Sequence, residues 1–210
     1  MGGYDPSPLP TAAYSVVMLL MEAFLNSPHL LLFARLTLGG VFVLSAIAKW
    51  RDQDAAGTTR AWMPAALATA GRRLLPPVEA LVGGLLIAGL ATRPAALGAG
   101  VLLLLFSAVV FADLRQGQGL PCGCFGRITQ EPASPATLVR NGVLLALAGL
   151  LAWQPSPYLA LDGLLAAPAP AGLPPAVDAI PIGFLAVLAI VGVVLGQALL
   201  STVRGFLRAF

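Results

Sequence analysis

The stretch LLLFARLTLGGVFVLSAIA, residues 30–48, decides the fold of this chain. Arg35 is its only charged residue, and an apolar run of about 18 or more residues can cross a bilayer as an α-helix. Four further apolar runs have the same character, at about 74–91, 95–112, 138–153 and 181–203. The sequence therefore predicts an all-α polytopic membrane protein, with a four-helix transmembrane bundle and a fifth, C-terminal transmembrane helix.

The composition supports a membrane protein and excludes nucleic-acid binding. Hydrophobic residues make up 58% of the 210 residues and charged residues only 10%, whereas a soluble domain carries about 25% charged residues. The formal charge is +3, and no basic tract is interleaved with aromatic residues. The lipid bilayer is therefore the first predicted partner, and the length leaves room for one membrane domain.

Changes in composition divide the chain into three parts. Residues 1–29 are predicted to be an N-terminal interfacial segment, because the apolar stretch 12–25 is short for a span; an uncleaved signal-like segment is the alternative. Residues 30–153 form the predicted four-helix core, with a cysteine loop at 113–137. Residues 154–210 form a Pro- and Ala-rich interfacial loop and the C-terminal helix.

Local signals refine the second helix and the hairpin that follows it. Pro76 and Pro77 fit the first turn of this helix, where missing amide donors cost little. The link Thr92-Arg93-Pro94 is so short that the second and third helices must be antiparallel. Pairs of glycines on the first two helices, at 39–40 and 83–84, would allow close helix packing.

The only two cysteines lie together in Cys122-Gly123-Cys124-Phe125-Gly126. Two thiols one residue apart favour redox chemistry, because nearby positive charge favours the reactive thiolate and a disulfide in so small a ring is strained and labile. Two inert thiols are one alternative. A soft-metal site is another, and two thiolates suit monovalent copper better than a four-ligand zinc site.

Ionisable residues of the apolar segments gather on the membrane face that carries the cysteines. Successive spans alternate in direction, so the end of the first, the start of the second, the end of the third and the start of the fourth share that face. Charges inside a membrane usually face a bundle interior or a wet cavity. The polar residues at these four ends are Lys49, Glu79, Asp113, Arg140 and Asn141.

Glu79, Lys49 and Arg35, which is the exception near the opposite end of the first span, each also have a simpler interpretation. Glu79 is predicted to pair with Lys49 or Arg140, but it would also complement the positive end of a helix dipole. Arg35 and Lys49 lie on one helical face and would alternatively snorkel to opposite interfaces.

The loops on the cysteine side hold most of the Lys and Arg residues, which predicts a cytoplasmic cysteine face. That placement is at odds with an oxidative role, since cytosolic thiols are kept reduced.

The chain resembles the MauE group of DoxX-like membrane proteins between residues 30 and 153. Residues 35–42 with 48–50 resemble the first helix of that group, and 75–79 resemble the opening of its second helix. Residues 122–126 resemble its cysteine signature, and 140–141 the start of its fourth helix. The cysteine signature followed by Arg-Asn is the more specific part of this resemblance, and the long Pro/Ala-rich segment after the fourth helix departs from it.

The resemblance implies an inner-membrane protein required for maturation of methylamine dehydrogenase with a thioredoxin-like partner. The resulting hypothesis is a thiol–disulfide redox protein in which Cys122 and Cys124 exchange electrons with a thioredoxin-like or exported thiol protein. A quinone is a candidate electron acceptor, although no residue indicates one directly, and no metal is assigned. A non-catalytic assembly subunit and a soft-metal carrier remain alternatives, so enzyme activity stays open. The predicted pocket or supporting residues are Arg35, Lys49, Glu79, Arg140 and Asn141.

Overall fold

The computed structural model describes residues 15, 18, 25–51, 65–116, 134–154, 159–162, 177 and 179–208. Most of the stretch 12–25 and most of the predicted cysteine loop lie outside these ranges. The described residues contain five long helices and no strand, so the all-α prediction is confirmed for them. The helices are α1 (Pro28–Arg51), α2 (Ala65–Ala88), α3 (Thr92–Gln116), α4 (Pro135–Trp153) and α5 (Ala179–Arg208).

Three of these helices, α1, α3 and α4, are long and apolar enough to cross a membrane. The second helix, α2, is not in this class; it carries three charged residues, Arg72, Arg73 and Glu79. The stretch Ala179–Val193 of α5 is apolar but shorter. These features are those of a polytopic helical membrane protein.

The central helix is α1, which contacts α2, α4 and α5. Of the apolar stretch of α1, 61% is buried inside the protein, compared with 33% for that of α3 and 28% for that of α4. Leu38, Phe42 and Ala46 of α1 are almost fully buried and lie one turn apart on one face. Polar groups on this face are therefore held inside the bundle, away from lipid.

The two prolines lie inside α2 instead of at its start, so the prediction that they open the helix is wrong. The helix begins at Ala65, in an alanine-rich stretch of high helix propensity. Each proline removes one amide donor, and these donors would have bonded the carbonyls of Arg72 and Arg73. Glu79 consequently lies about four turns from the start of α2, too far to complement the helix dipole.

The hairpin between α2 and α3 is three residues long, 89–91, and lies before its predicted position. Gly89 has a φ of +68°, the left-handed conformation that ends many helices. The Leu90 amide donates to the Leu85 carbonyl at 3.0 Å and the Gly89 amide to the Leu86 carbonyl at 3.2 Å. These two bonds form a Schellman motif, which stops α2 and turns the chain into α3.

Two glycines bring α1 and α2 into backbone contact. A Cβ atom added to Gly39 would lie 2.9 Å from the Gly83 carbonyl oxygen, and one added to Gly83 would lie 2.7 Å from that of Gly39. The neighbouring glycines differ, because Gly40 faces Ile190 of α5 and Gly84 faces open space. Close approach of α1 and α2 therefore depends on one glycine of each predicted pair.

We expect Gly83→Ala to lower the free energy of unfolding by about 1–3 kcal/mol, since the added methyl group overpacks a backbone contact. Gly84→Ala is the matched control on the next residue, and its methyl group meets nothing. Thermal unfolding in detergent micelles, followed by circular dichroism, measures both. Equal melting temperatures for the two variants would show that the α1–α2 contact tolerates a side chain.

Candidate functional site

A buried ion pair joins α1 to α2. The Glu79 side chain is fully buried, and its Oε1 accepts a hydrogen bond from the Lys49 ammonium. Its Oε2 accepts from the Ser45 hydroxyl at 3.2 Å, and Lys49 Nζ also donates to Ser45 Oγ at 3.1 Å. Ser45 lies one helical turn before Lys49, so the three side chains close a ring in which both carboxylate oxygens are bonded.

An aromatic ring of α3 covers the same ammonium group. Lys49 Nζ lies 4.7 Å from the centroid of the Phe106 ring, within the range of a cation–π interaction. The Lys49 side chain is 15% exposed. Lys49 is thus held by α1, α2 and α3 together, and the pair behaves as one neutral unit inside the bundle.

A second polar network joins α3 to α4. Arg140 donates from Nε at 3.3 Å and from Nη2 at 3.0 Å to Asn141 Oδ1. Asn141 Nδ2 donates to Ser107 Oγ at 3.2 Å, and the Ser107 hydroxyl donates to the Leu103 carbonyl at 2.7 Å. The Asn141 amide accepts from Arg140 and donates to Ser107, so the network sets the orientation of this amide and, through it, that of the Arg140 guanidinium.

The two networks are neighbours, because Phe106 and Ser107 are consecutive on α3. Both lie toward the end of the bundle where α3 finishes and α4 starts. At 1.5 Å per residue, Gln116 is about 14 Å beyond Ser107 and Pro135 about 9 Å beyond Asn141. The chain between these two ends contains Cys122 and Cys124, and both cysteines lie outside the described residues.

Arg35 does not join these networks. It precedes Lys49 by fourteen residues on α1, which places it about 21 Å away along the helix. The structure thus brings four of the predicted pocket residues into two adjacent networks: Lys49, Glu79, Arg140 and Asn141. Arg35 is buried at the opposite end of the bundle.

At that end, Arg35 binds the last carbonyls of α2. It is 1% exposed; its Nε donates to the Leu86 carbonyl at 3.0 Å and its Nη2 to the Ile87 carbonyl at 3.3 Å. Nη2 also donates to the Leu159 carbonyl at 3.0 Å. A helix C-terminus leaves carbonyls unsatisfied and favours a cation, so Arg35 clamps α2 and the chain after α4 together.

Gly89 makes room for this clamp. A Cβ atom on Gly89 would lie 2.6 Å from Arg35 Nη2 and 2.7 Å from the Ala160 Cα. The Gly89 carbonyl also accepts a hydrogen bond from the Asp162 amide at 3.3 Å, and the Asp162 carboxylate interacts electrostatically with Arg35. The described residues 159–162 are therefore bound to the α2–α3 turn by backbone and side-chain contacts.

Sequence reasoning missed three residues of the site: Ser45, Phe106 and Ser107. Two of them left a signal. Ser45 precedes Lys49 by the four residues that place side chains on one face, and Ser107 is the only polar side chain between residues 95 and 112. Phe106 left none, because phenylalanine is common in apolar helices. Within the described ranges no cluster of three His, Cys, Asp or Glu residues could hold a metal ion.

A bundle of long apolar helices with an ion pair buried between two of them defines a helical membrane protein. The chain belongs to the MauE family: the family model described as "Methylamine utilisation protein MauE" matches residues 27–154. This match confirms the MauE resemblance; it begins just before α1 and ends just after α4.

A curated relative agrees with the family match. The chain is similar to the methylamine utilization protein MauE of Paracoccus denitrificans, with 36% identity over 133 residues that cover 61% of this chain and 71% of that protein. No solved structure matches the chain.

Proposed function

We propose that this protein is an integral membrane thiol–disulfide redox protein that acts in methylamine utilisation. Membership in the MauE family supports the metabolic role. One structural observation supports the redox role: the buried polar networks of four helices lie toward the end of the bundle to which the cysteine segment is joined. Cys122 and Cys124 are the reacting pair, and a thioredoxin-like or exported thiol protein is the partner.

The proposed reaction is thiol–disulfide exchange. A thiolate of the pair attacks the disulfide of the partner, forms a mixed disulfide and releases one partner thiolate; the second cysteine then attacks the mixed disulfide and releases the other. Two electrons pass from the pair to the partner, and the reverse sequence oxidises the partner. In that direction a membrane quinone is the proposed acceptor, taking two electrons and two protons from the pair to become a quinol.

The described residues supply a fixed environment for this chemistry. The guanidinium of Arg140 is oriented by Asn141 at the start of α4, and positive charge close to a thiol favours the thiolate. The Lys49–Glu79 pair is neutral as a unit and holds α1 against α2. In this proposal Arg140 is the electrostatic group, whereas Lys49, Glu79 and Asn141 position the helices and Arg35 clamps their far end.

The cysteine test uses Cys122→Ser, Cys124→Ser and the double variant as its control. We expect one of the two single variants to accumulate a mixed disulfide with the partner, because the second thiol is needed to resolve it. A reductant should cleave this mixed disulfide. We expect the double variant to form none and to lose growth on methylamine. Non-reducing electrophoresis with mass spectrometry identifies the captured partner, and growth measures the function.

Other outcomes of this test favour the alternative functions. Normal growth of the double variant on methylamine would overturn the redox proposal and favour a non-catalytic assembly subunit. Tight binding of monovalent copper by the reduced protein, without any exchange reaction, would favour a soft-metal carrier. The test therefore separates the three functions by different measurements.

We also propose that all five helices cross the inner membrane, with the cysteine segment on the cytoplasmic face, because most Lys and Arg residues lie on that side. A membrane-impermeant maleimide applied to intact cells tests this orientation, since the chain has only two cysteines. The double serine variant controls for background labelling. Labelling from outside would reverse the orientation and strengthen a role in oxidising an exported partner.

A further inference from the structure

Four exposed arginines surround the cysteine end of the bundle. Arg51 is the last residue of α1, Arg72 and Arg73 precede Glu79 on α2, and Arg115 lies near the end of α3. We propose that these four residues form a binding surface for the headgroups of anionic phospholipids, hereafter the arginine belt. This surface is independent of the cysteines and of the redox function proposed above.

The helix geometry places every arginine of the belt beyond the Lys49–Glu79 pair, toward the same end of the bundle. Counted at 1.5 Å per residue, Arg51 lies about 3 Å beyond Lys49, Arg72 about 10 Å beyond Glu79 and Arg115 about 14 Å beyond Phe106. Arg115 is also about 16 Å from the middle of α3, close to half the thickness of a hydrocarbon core. Arg115 therefore lies near the depth of the phosphate groups when α3 is centred in a bilayer, and the other three arginines lie toward the same face.

Exposed apolar side chains accompany the arginines. Trp50, which precedes Arg51, is 47% exposed, and Leu74, which follows Arg73, is 64% exposed. The Arg115 guanidinium lies 4.8 Å from the centre of the Phe111 ring, which is itself 49% exposed. A cation beside an outward apolar group fits a phospholipid, since the apolar group reaches acyl chains while the cation meets the phosphate.

Among the described residues, the exposed charged side chains at this end of the bundle are basic, which favours an anionic partner. Among the described carboxylates, Glu79 and Asp113 are buried, and the exposed Asp162 lies at the opposite end of the bundle. Within the described ranges, no carboxylate forms a salt bridge with an arginine of the belt. Guanidinium groups bind phosphate oxygens through paired hydrogen bonds. The combined apolar and cationic surface points to a lipid headgroup and not to free phosphate.

Binding of defined lipids to the purified full-length protein in detergent tests this proposal. We expect native mass spectrometry to show a preference for phosphatidylglycerol over phosphatidylcholine. Substituting the belt as Arg51→Gln/Arg72→Gln/Arg73→Gln/Arg115→Gln should reduce that preference by about tenfold or more, because each basic residue adds to binding of an anionic surface. The matched control is Arg93→Gln, an exposed arginine at the other end, which should retain the preference.

Three results would overturn the arginine belt. These are equal binding of both lipids by the unmodified protein, an unchanged preference in the fourfold variant, or full competition by inorganic phosphate at the concentration of the lipid. Circular dichroism and the melting temperature in phosphatidylcholine should be the same for the fourfold variant and the unmodified protein, because the substituted side chains are exposed. The redox state of the cysteines is not measured in this experiment, so its result is independent of the proposed redox function.

Discussion

Lys49→Met is expected to lower the free energy of unfolding by about 3–5 kcal/mol, because it leaves the Glu79 carboxylate buried without its cation. Glu79 is fully buried on α2, and among the described residues only the Ser45 hydroxyl would still donate a hydrogen bond to it. The substitution also removes the ammonium from the Phe106 ring. Thermal or denaturant unfolding in detergent micelles, followed by circular dichroism, measures the loss.

The double variant Lys49→Met/Glu79→Met isolates the cause. Replacing both members of a buried ion pair by apolar residues of similar size is often neutral, whereas removing one is costly. We therefore expect the double variant to recover most of the lost stability. Arg51→Met is the matched control, since this exposed basic residue two positions along α1 should cost less than about 0.5 kcal/mol. Equal destabilisation of the single and double variants would contradict the pairing.

The same double variant separates structure from chemistry. A folded double variant that still exchanges disulfides would assign Lys49 and Glu79 to helix packing alone. A folded variant that has lost exchange would give the pair a part in the reaction. Assaying both stability and mixed-disulfide formation on one protein preparation distinguishes these outcomes.

Arg35→Met is expected to lower the free energy of unfolding by about 2–4 kcal/mol, the second large effect. Hydrogen bonds to charged groups contribute about 1.5–3 kcal/mol each, and their contributions do not add fully. The substitution leaves the carbonyls of Leu86, Ile87 and Leu159 without their guanidinium donor. Thermal unfolding measures the loss. Hydrogen exchange should rise in the amides of the α2–α3 turn and residues 159–162 if the clamp opens.

Two variants control the Arg35 experiment. Arg35→Lys keeps the charge but lacks the planar fork that reaches several carbonyls, so its stability should lie between that of Arg35→Met and the unmodified protein. Arg93→Met removes an exposed arginine from the same end of the bundle and should change little. If Arg35→Met and Arg93→Met have the same melting temperature, Arg35 does not clamp α2.

Much of the helical architecture could be predicted because its signals are local. A long apolar run forms a helix in lipid regardless of its neighbours, since every backbone group must be bonded internally. The extent of α2 could not be predicted in the same way. Pro76 and Pro77 are typical of a helix start, yet the helix continues back to Ala65, through an alanine-rich stretch of high helix propensity.

The pairing of polar side chains shows where local reasoning ends. Lys49 and Glu79 could be assigned to one end of the bundle, but Glu79 had two predicted partners, Lys49 and Arg140. The structure pairs it with Lys49, while Arg140 bonds the neighbouring Asn141. The Gly39–Gly83 contact brings α1, which carries Lys49, close to α2, which carries Glu79.

The amino-acid order alone determines that the long apolar runs are helical and how far apart two charges on one helix lie along its axis, because helix rise and apolar length depend on the segment itself. Only the tertiary structure decides which helix faces which charge, since the rotation of a helix about its axis depends on the neighbours that pack against it. Arg35 illustrates both halves. Its position on the same helical face as Lys49 follows from the helical period. Its hydrogen-bond partners, however, lie 51 to 124 residues away in the chain.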